Sequence, residues 1–360
     1  MRIARVSSRT ESLGLTRPYA IAFQTAEDVA NVVLRVETDR RLVGWGAASP
    51  EPRVTGETLD ACAAALAPES LSWLEGRDTR TLPALCRELA RRLPDAPAAR
   101  AAADMALHDL FAQELGLPLV EVLGRSHESL PTSITIGIKG VGETLAEAEE
   151  YVGRGFRILK VKIGESLEED LARLRRLRER FPPGEVAIRA DANQGYDAAE
   201  TRRYFEETRR LDVEFLEQPV PPDALGALRE LPEADRERIA ADESLHSEAD
   251  ALVLSRSPRL AGIFNIKLMK SGGVRPALAI AEIAELAGIR LMWGCMDESA
   301  ISIAAALHAA LASPATRYLD LDGSLDLARD VVRGGFTLEN GVMRTTEAPG
   351  LGVRPLDASP

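Results

Sequence analysis

Two kinds of hydrophobic patterning divide the chain. Residues 30–48, ANVVLRVETDRRLVGWGAA, form two β-prone runs about the charged stretch Thr38–Arg41, the pattern of a hairpin. Apolar positions then recur at helical spacing over Thr55–Ala67, behind Thr55 and Glu57, and over Pro97–Leu115, which stops at Gly116 with Pro118 just beyond. From about residue 131 the pattern changes to short apolar runs: TSITIGI, ILKVKIG, VAIRADAN, VEFLEQP, RIAADES, GIFNIKLM, IRLMWGCM and YLDLD, eight in all. Polar intervals separate them, most with helical periodicity, as in Leu167–Arg180 and Pro276–Ala287. Strands alternating with helices predict right-handed parallel units, and eight of them favour a closed α/β barrel over an open sheet. The tail, GGFTLENGVMRTTEAPGLGV, holds Asn340-Gly341 between β-prone runs. It predicts a second hairpin that returns to the first domain, because a closed barrel has no edge to receive it.

Composition narrows the function classes. The 360 residues carry a formal net charge of −12, so the field of the whole protein opposes attraction to nucleic-acid phosphates or anionic membranes. Cys62, Cys86 and Cys295 are too few and too scattered for a disulfide framework or a thiolate metal site, which suits a reducing compartment. The start, MRIARVSSRTESLGL, lacks the apolar core of a signal peptide and no run reaches transmembrane length, so a cytoplasmic protein is expected.

The chemistry is read at the ends of the barrel strands, where barrel active sites are built. Run two ends with Lys160 and Lys162, run three with Asp191 and Asn193, run four with Glu217 and run five with Asp242 and Glu243. Run six ends with Lys267, run seven with Asp297 and Glu298, and run eight with Asp320 and Asp322. Asp191, Glu217, Asp242 and Lys267 follow one another at intervals of 26, 25 and 25 residues, one charge per strand-helix unit, which points to one shared centre. Three buried carboxylates from adjacent strands are costly without a cation, and an all-oxygen donor set suits Mg²⁺ better than zinc. Lys162 on the second strand and Lys267 on the sixth lie on opposite sides of strands three to five, which carry the carboxylates. With a substrate carboxylate on the metal, one amine removes the α-proton and the other returns a proton to the opposite face, inverting the centre through an enediolate. Lys160, on the same strand face as Lys162, is expected to keep its neighbour's pKa low by like-charge repulsion.

The set KVKIG (Lys160 to Gly164), RADANQGY (Arg189 to Tyr196), EQPV (Glu217 to Val220), ADES (Ala241 to Ser244) and NIKLMKSGG (Asn265 to Gly273) resembles the enolase superfamily, muconate-lactonizing subgroup. The resemblance covers nearly the whole chain. It implies a modified (β/α)₇β barrel over about 126–325 and an α+β capping domain over 1–125, completed by the C-terminal segment at about 326–360. It also implies one Mg²⁺ on Asp191, Glu217 and Asp242, with Lys162 and Lys267 as the acid/base pair and Lys160 and Asn193 in support.

Within that subgroup, Asp320 and Asp322 in YLDLDGSL look like the Asp-x-Asp motif of the dipeptide epimerases, such as L-Ala-D/L-Glu epimerase, which holds the substrate's α-ammonium. Two carboxylates on one strand face make an anionic cradle for such a cation. The chain departs from the Ala-Glu pattern in the cap loop YAIAFQTAED, where Gln24 stands in place of an arginine, while Asp297 and Glu51 add negative charge over the barrel mouth and Glu298 follows Asp297. That pocket favours a dipeptide of the Xaa-Arg or Xaa-Lys type. The alternatives are an L-Ala-D/L-Glu epimerase, another member of the subgroup (N-acylamino acid racemase, o-succinylbenzoate synthase or muconate cycloisomerase), and a metal-binding barrel without turnover. A small-molecule dipeptide is the expected partner, nucleic acid and membrane are not, and a homo-oligomer stays open. His108, His127, His246 and His308 fall in helical or connecting segments, so no His-Asp base pair is visible, and Trp45 and Trp293 read as packing residues.

Overall fold

The computed structural model describes residues 1–17 and 29–356, with backbone alone over 19–21 and 24–26. Strands Ile3–Ser12, Ala30–Thr38 and Val43–Ala48 form an antiparallel cap sheet, and the last two make the hairpin expected over residues 30–48. The helix Pro97–Leu115 packs on Val43–Ala48 so closely that a Cβ at Gly44 or Gly46 would overlap the carbonyls of Ala106 and Ala102. Alanine at 98, 99, 101, 102, 103 and 106 makes that approach feasible, and Gly116 ends the helix in the left-handed conformation at φ 72°. The helix expected from Thr55 starts later, as Leu59–Ala65, because the Thr58 hydroxyl accepts from the Ala61 N–H and caps it; Pro68 then opens a separate turn of helix, Pro68–Leu71.

The eight parallel strands are Ile134–Ile136, Ile158–Lys162, Ala187–Asp191, Val213–Glu217, Ile239–Ala241, Ile263–Ile266, Arg290–Trp293 and Thr316–Leu319, hydrogen-bonded in chain order. A bridge between Thr132 and Leu319, with the Ser133 N–H donating to the Leu319 carbonyl at 3.1 Å, joins the first strand to the eighth. Helices fill most of the connections, but Pro222–Glu230 after the fourth strand is a 3₁₀ segment, since Pro221, Pro222 and Gly226 disfavour a regular helix. The N-terminal end of the barrel is plugged by Arg189, whose guanidinium lies 5.5 Å from the ring of Phe215 and 4.9 Å from that of Tyr318 and pairs with Glu214 at 2.7 Å. Trp45 and Trp293 are both buried, as their reading as packing residues requires.

The tail hairpin forms with Asn340 and Gly341 at positive φ, but it pairs with Leu130–Pro131 at the entry to the barrel and not with the cap sheet. That two-residue strand leads into the barrel and offers an edge that the closed ring does not. The tail reaches the N-terminal region beyond the hairpin, where buried Asp109 accepts from the N–H groups of both Leu351 and Trp45. Among the described residues no helix is long and apolar enough to cross a membrane.

Candidate active site

Parallel strands present every second side chain to the barrel interior. The second strand therefore aims Lys160 and Lys162 inward, the third Asp191, the fourth Glu217, the fifth is followed by Asp242, and the sixth carries Asn265 and is followed by Lys267. All of these except Lys162 are buried, and Lys162 is nearly so. Strands two and six stand half a turn apart in the ring, so the two lysines flank the carboxylates from opposite walls. Lys162 Nζ lies 2.7 Å from Asp191 and 2.9 Å from the Asn193 side-chain oxygen, and Lys267 Nζ lies 2.8 Å from Asp242.

Each carboxylate has one oxygen held from outside the centre. Asp191 Oδ1 accepts from the Asn193 N–H at 3.0 Å, Glu217 Oε1 from the Asn265 amide at 2.6 Å, and Asp242 Oδ1 from the Lys270 ammonium at 2.5 Å. The other oxygens, Asp191 Oδ2, Glu217 Oε2 and Asp242 Oδ2, meet lysine ammonium groups. Glu217 Oε2 lies 2.8 Å from Lys160 Nζ yet accepts no hydrogen bond among the described residues, because the angle is wrong for one.

Carboxyl groups outnumber amines here: Asp191, Glu217, Asp242, Glu243, Asp320 and Asp322 stand against Lys160, Lys162, Lys267 and Lys270. The excess of carboxyl groups shows in the titration. Burial and the neighbouring Asp191 push Glu217 up to about 8, and burial and Asp320 push Asp322 up to about 7. Burial works against ionised Asp191 and Asp242 as well, but the lysines outweigh it and hold Asp191 at about 2 and Asp242 well below the usual range. Burial opposes a charged Lys267 too, yet Asp242 and Glu217 raise it above the usual amine range. Three convergent carboxyl groups, more carboxyls than amines, and a buried Glu217 oxygen that accepts no hydrogen bond among the described residues fit a hard divalent cation.

Lys160 lies among the carboxylates. Its ammonium contacts Asp191 at 3.0 Å, Glu217 at 2.8 Å and Asp320 at 2.7 Å, and these partners overcome the burial that opposes its charge. Lys160 thereby ties the ends of the second, third, fourth and eighth strands together through three carboxylates.

The cradle departs in detail from the sequence expectation. The eighth strand ends at Leu319, and Asp320 turns into the network, accepting from Ser133 Oγ at 2.6 Å and from Lys160. Asp322 accepts from the Thr135 N–H at 2.7 Å. Asp297 is half-buried in the loop after the seventh strand, and its carbonyl is held by Ser49 Oγ at 2.8 Å and by the Asn31 amide, both from the cap. Glu298 is buried, accepts from the Met296 N–H at 2.7 Å and is pushed by burial to about 7. Glu51 is half-buried in a turn closed by Thr55 and by its own carboxylate on the Arg53 N–H. The Gln24 side chain lies outside the described residues. Asn265 and Lys270, buried against the carboxylates, and Gln218, buried against the backbone of Asp242, escaped the sequence reading because their roles depend on contacts between strands.

Comparison with known proteins gives the family. Residues 143–359 match the enolase C-terminal domain-like family, and residues 4–124 match the N-terminal domain of the mandelate racemase/muconate lactonizing enzyme family. The chain belongs to the mandelate racemase/muconate lactonizing enzyme family of the enolase superfamily. Among relatives in this family, an L-Lys-D/L-Arg epimerase of Methylococcus capsulatus is 63% identical, with 98% of this chain and 99% of that protein covered. An L-Ala-D/L-Glu epimerase of Bacillus subtilis is 34% identical over 98% of this chain and 97% of that protein. The crystal structure of a dipeptide epimerase from M. capsulatus complexed with Mg and the dipeptide L-Arg-D-Lys superposes with a TM-score of 0.96, covering 98% of this chain and 99% of that one.

Proposed function

We propose that this protein is a Mg²⁺-dependent dipeptide epimerase that inverts the α-carbon of the C-terminal residue and prefers cationic dipeptides. The carrying observation is the pair of lysines, Lys162 and Lys267, on opposite walls of a carboxylate-lined barrel mouth. Asp191, Glu217 and Asp242 would hold the metal, which when bound supplies the positive charge that steadies the substrate carboxylate as its α-proton leaves. Lys162 and Lys267 act as base and acid: the free amine of one removes the α-proton, and the ammonium of the other delivers a proton to the opposite face. Asp320 and Asp322 receive the substrate's α-ammonium, which offsets the burial and the repulsion from Asp320 that together raise Asp322.

The acidic groups Glu51 and Asp297 on loops near the mouth support the preference for a basic side chain, as does the 63% identity to an L-Lys-D/L-Arg epimerase. The alternatives within the subgroup separate in one experiment. A dipeptide library incubated in D₂O with Mg²⁺ and read by mass spectrometry is expected to show α-deuteration of Xaa-Arg and Xaa-Lys dipeptides. Labelling confined to acidic C-terminal residues would remove the cationic reading, and labelling of N-acyl amino acids alone would remove the dipeptide reading. An unlabelled library would leave a binding protein without turnover.

A further inference from the structure

The residue that follows the fourth-strand carboxylate is unusual in its backbone and in its side chain. Gln218 is fully buried, and its φ of 32° lies in the left-handed region that favours glycine. A side chain kept there at a conformational cost has work that glycine could not do. Its carboxamide oxygen accepts from the N–H groups of Asp242 at 3.0 Å and Ser244 at 3.1 Å. Its amide nitrogen donates to the Val220 carbonyl and to Ser244 Oγ, both at 2.8 Å. The backbone is equally committed: the Gln218 N–H donates to the Ala240 carbonyl at 2.9 Å, and its carbonyl accepts from the Gln194 N–H at 2.7 Å. One carboxamide, with both donors and both acceptor sites in use, thus spans from the residue after Glu217 to the backbone of Asp242.

We infer that Gln218 is a positioning residue that sets the spacing of Glu217 and Asp242, so that their inward oxygens meet on one divalent cation. The inference rests on the proposed metal site and adds a residue that acts through others, touching neither metal nor substrate. It follows from the place of the two N–H groups. The fifth strand ends at Ala241, so Asp242 lacks the sheet pairing that steadies Glu217. The Gln218 oxygen supplies the missing acceptor, and the backbone of Asp242 is held where the strand no longer holds it. Lys270 then orients the Asp242 carboxylate from its outer side. Neutral partners of this kind around metal ligands are worth about 10–100-fold in metal affinity.

The test measures Mn²⁺ binding by electron paramagnetic resonance, with no substrate present, alongside the melting temperature of the metal-free protein. Gln218→Met keeps the volume and removes all four side-chain hydrogen bonds, and it is expected to weaken Mn²⁺ binding by about 10–100-fold. Gln218→Asn keeps the amide but withdraws it by one methylene and is expected to weaken binding as well. Ser244→Ala, which leaves both N–H contacts to Gln218 intact, is expected to bind Mn²⁺ as the wild type does. A merely structural role would lower the melting temperature of the Gln218 variants and leave the Mn²⁺ constant unchanged, which would overturn the inference. Failure of both Gln218 variants to fold would overturn it too, by assigning the residue to the core. If the wild type itself bound no Mn²⁺, the metal reading would fall and this inference with it, whereas equal binding by wild type and Gln218→Met would remove only the inference.

Discussion

In the proposed reaction Lys162 and Lys267 divide the work between two faces of one carbon, and this division is testable residue by residue. Replacing either with alanine is expected to lower epimerisation by about 10²–10⁴-fold, the usual worth of a positioned acid or base. Each variant should still exchange the α-proton of the one epimer that faces the surviving lysine, which NMR in D₂O reads directly. Asp322 makes a second prediction at this scale. Its carboxyl sits near 7 through burial and the adjacent Asp320, so it is protonated below that pH and a poorer acceptor for an ammonium. KM for dipeptides is therefore expected to rise as pH falls below about 7, and Asp322→Asn should abolish that dependence. The carboxylates and lysines were legible because each ends a strand-like run at a regular interval. Gln218, Asn265 and Lys270 were not, because a carboxamide or amine beside a motif has no meaning until the facing strand is known.

At the scale of elements, the cap and barrel are joined by side chains that serve backbone groups. Asp104 on the long cap helix accepts from the N–H groups of Val274 and Arg275 and so caps the barrel helix Val274–Leu286. Cys86 and His108 gather around the same carboxylate, all three ligand atoms lying within 4.8 Å, although the sequence scatters them. Their approach follows from helix packing and was invisible to residue spacing. The close seat of that helix on the cap sheet makes Gly46 sensitive: Gly46→Val would drive a side chain into the Ala102 carbonyl. A loss of about 1–3 kcal/mol in unfolding free energy is expected from such overpacking, measurable by chemical denaturation. Periodicity located most helices, but their ends were decided by local caps such as Thr58, and the tail hairpin found its partner strand only in three dimensions.

For the whole molecule, the buried charges set how stability varies with pH. Glu217 at about 8, Asp322 and Glu298 at about 7 and Asp109 at about 6 bind protons more tightly folded than unfolded. Their contribution is present at low pH and lost as pH rises through those values. Asp191 at about 2, and Asp242 below its usual range, act in the other direction, and their contribution is lost as pH falls below about 4. The metal-free protein is therefore expected to melt at a higher temperature at pH 6 than at pH 8. Mg²⁺ should shrink that difference by favouring ionised Glu217, and a chelator should restore it, as differential scanning calorimetry can show. The order of strands and helices, the carboxylates at the ends of strands three to five and the two lysines were determined by the linear sequence, because periodicity and strand polarity are local properties. The partner of Lys160, the pairing of the tail, the orientation of each carboxylate and the clamp between the fourth and fifth strands were decided only by tertiary structure, because buried charges and amides take their energies from neighbours far away in the chain.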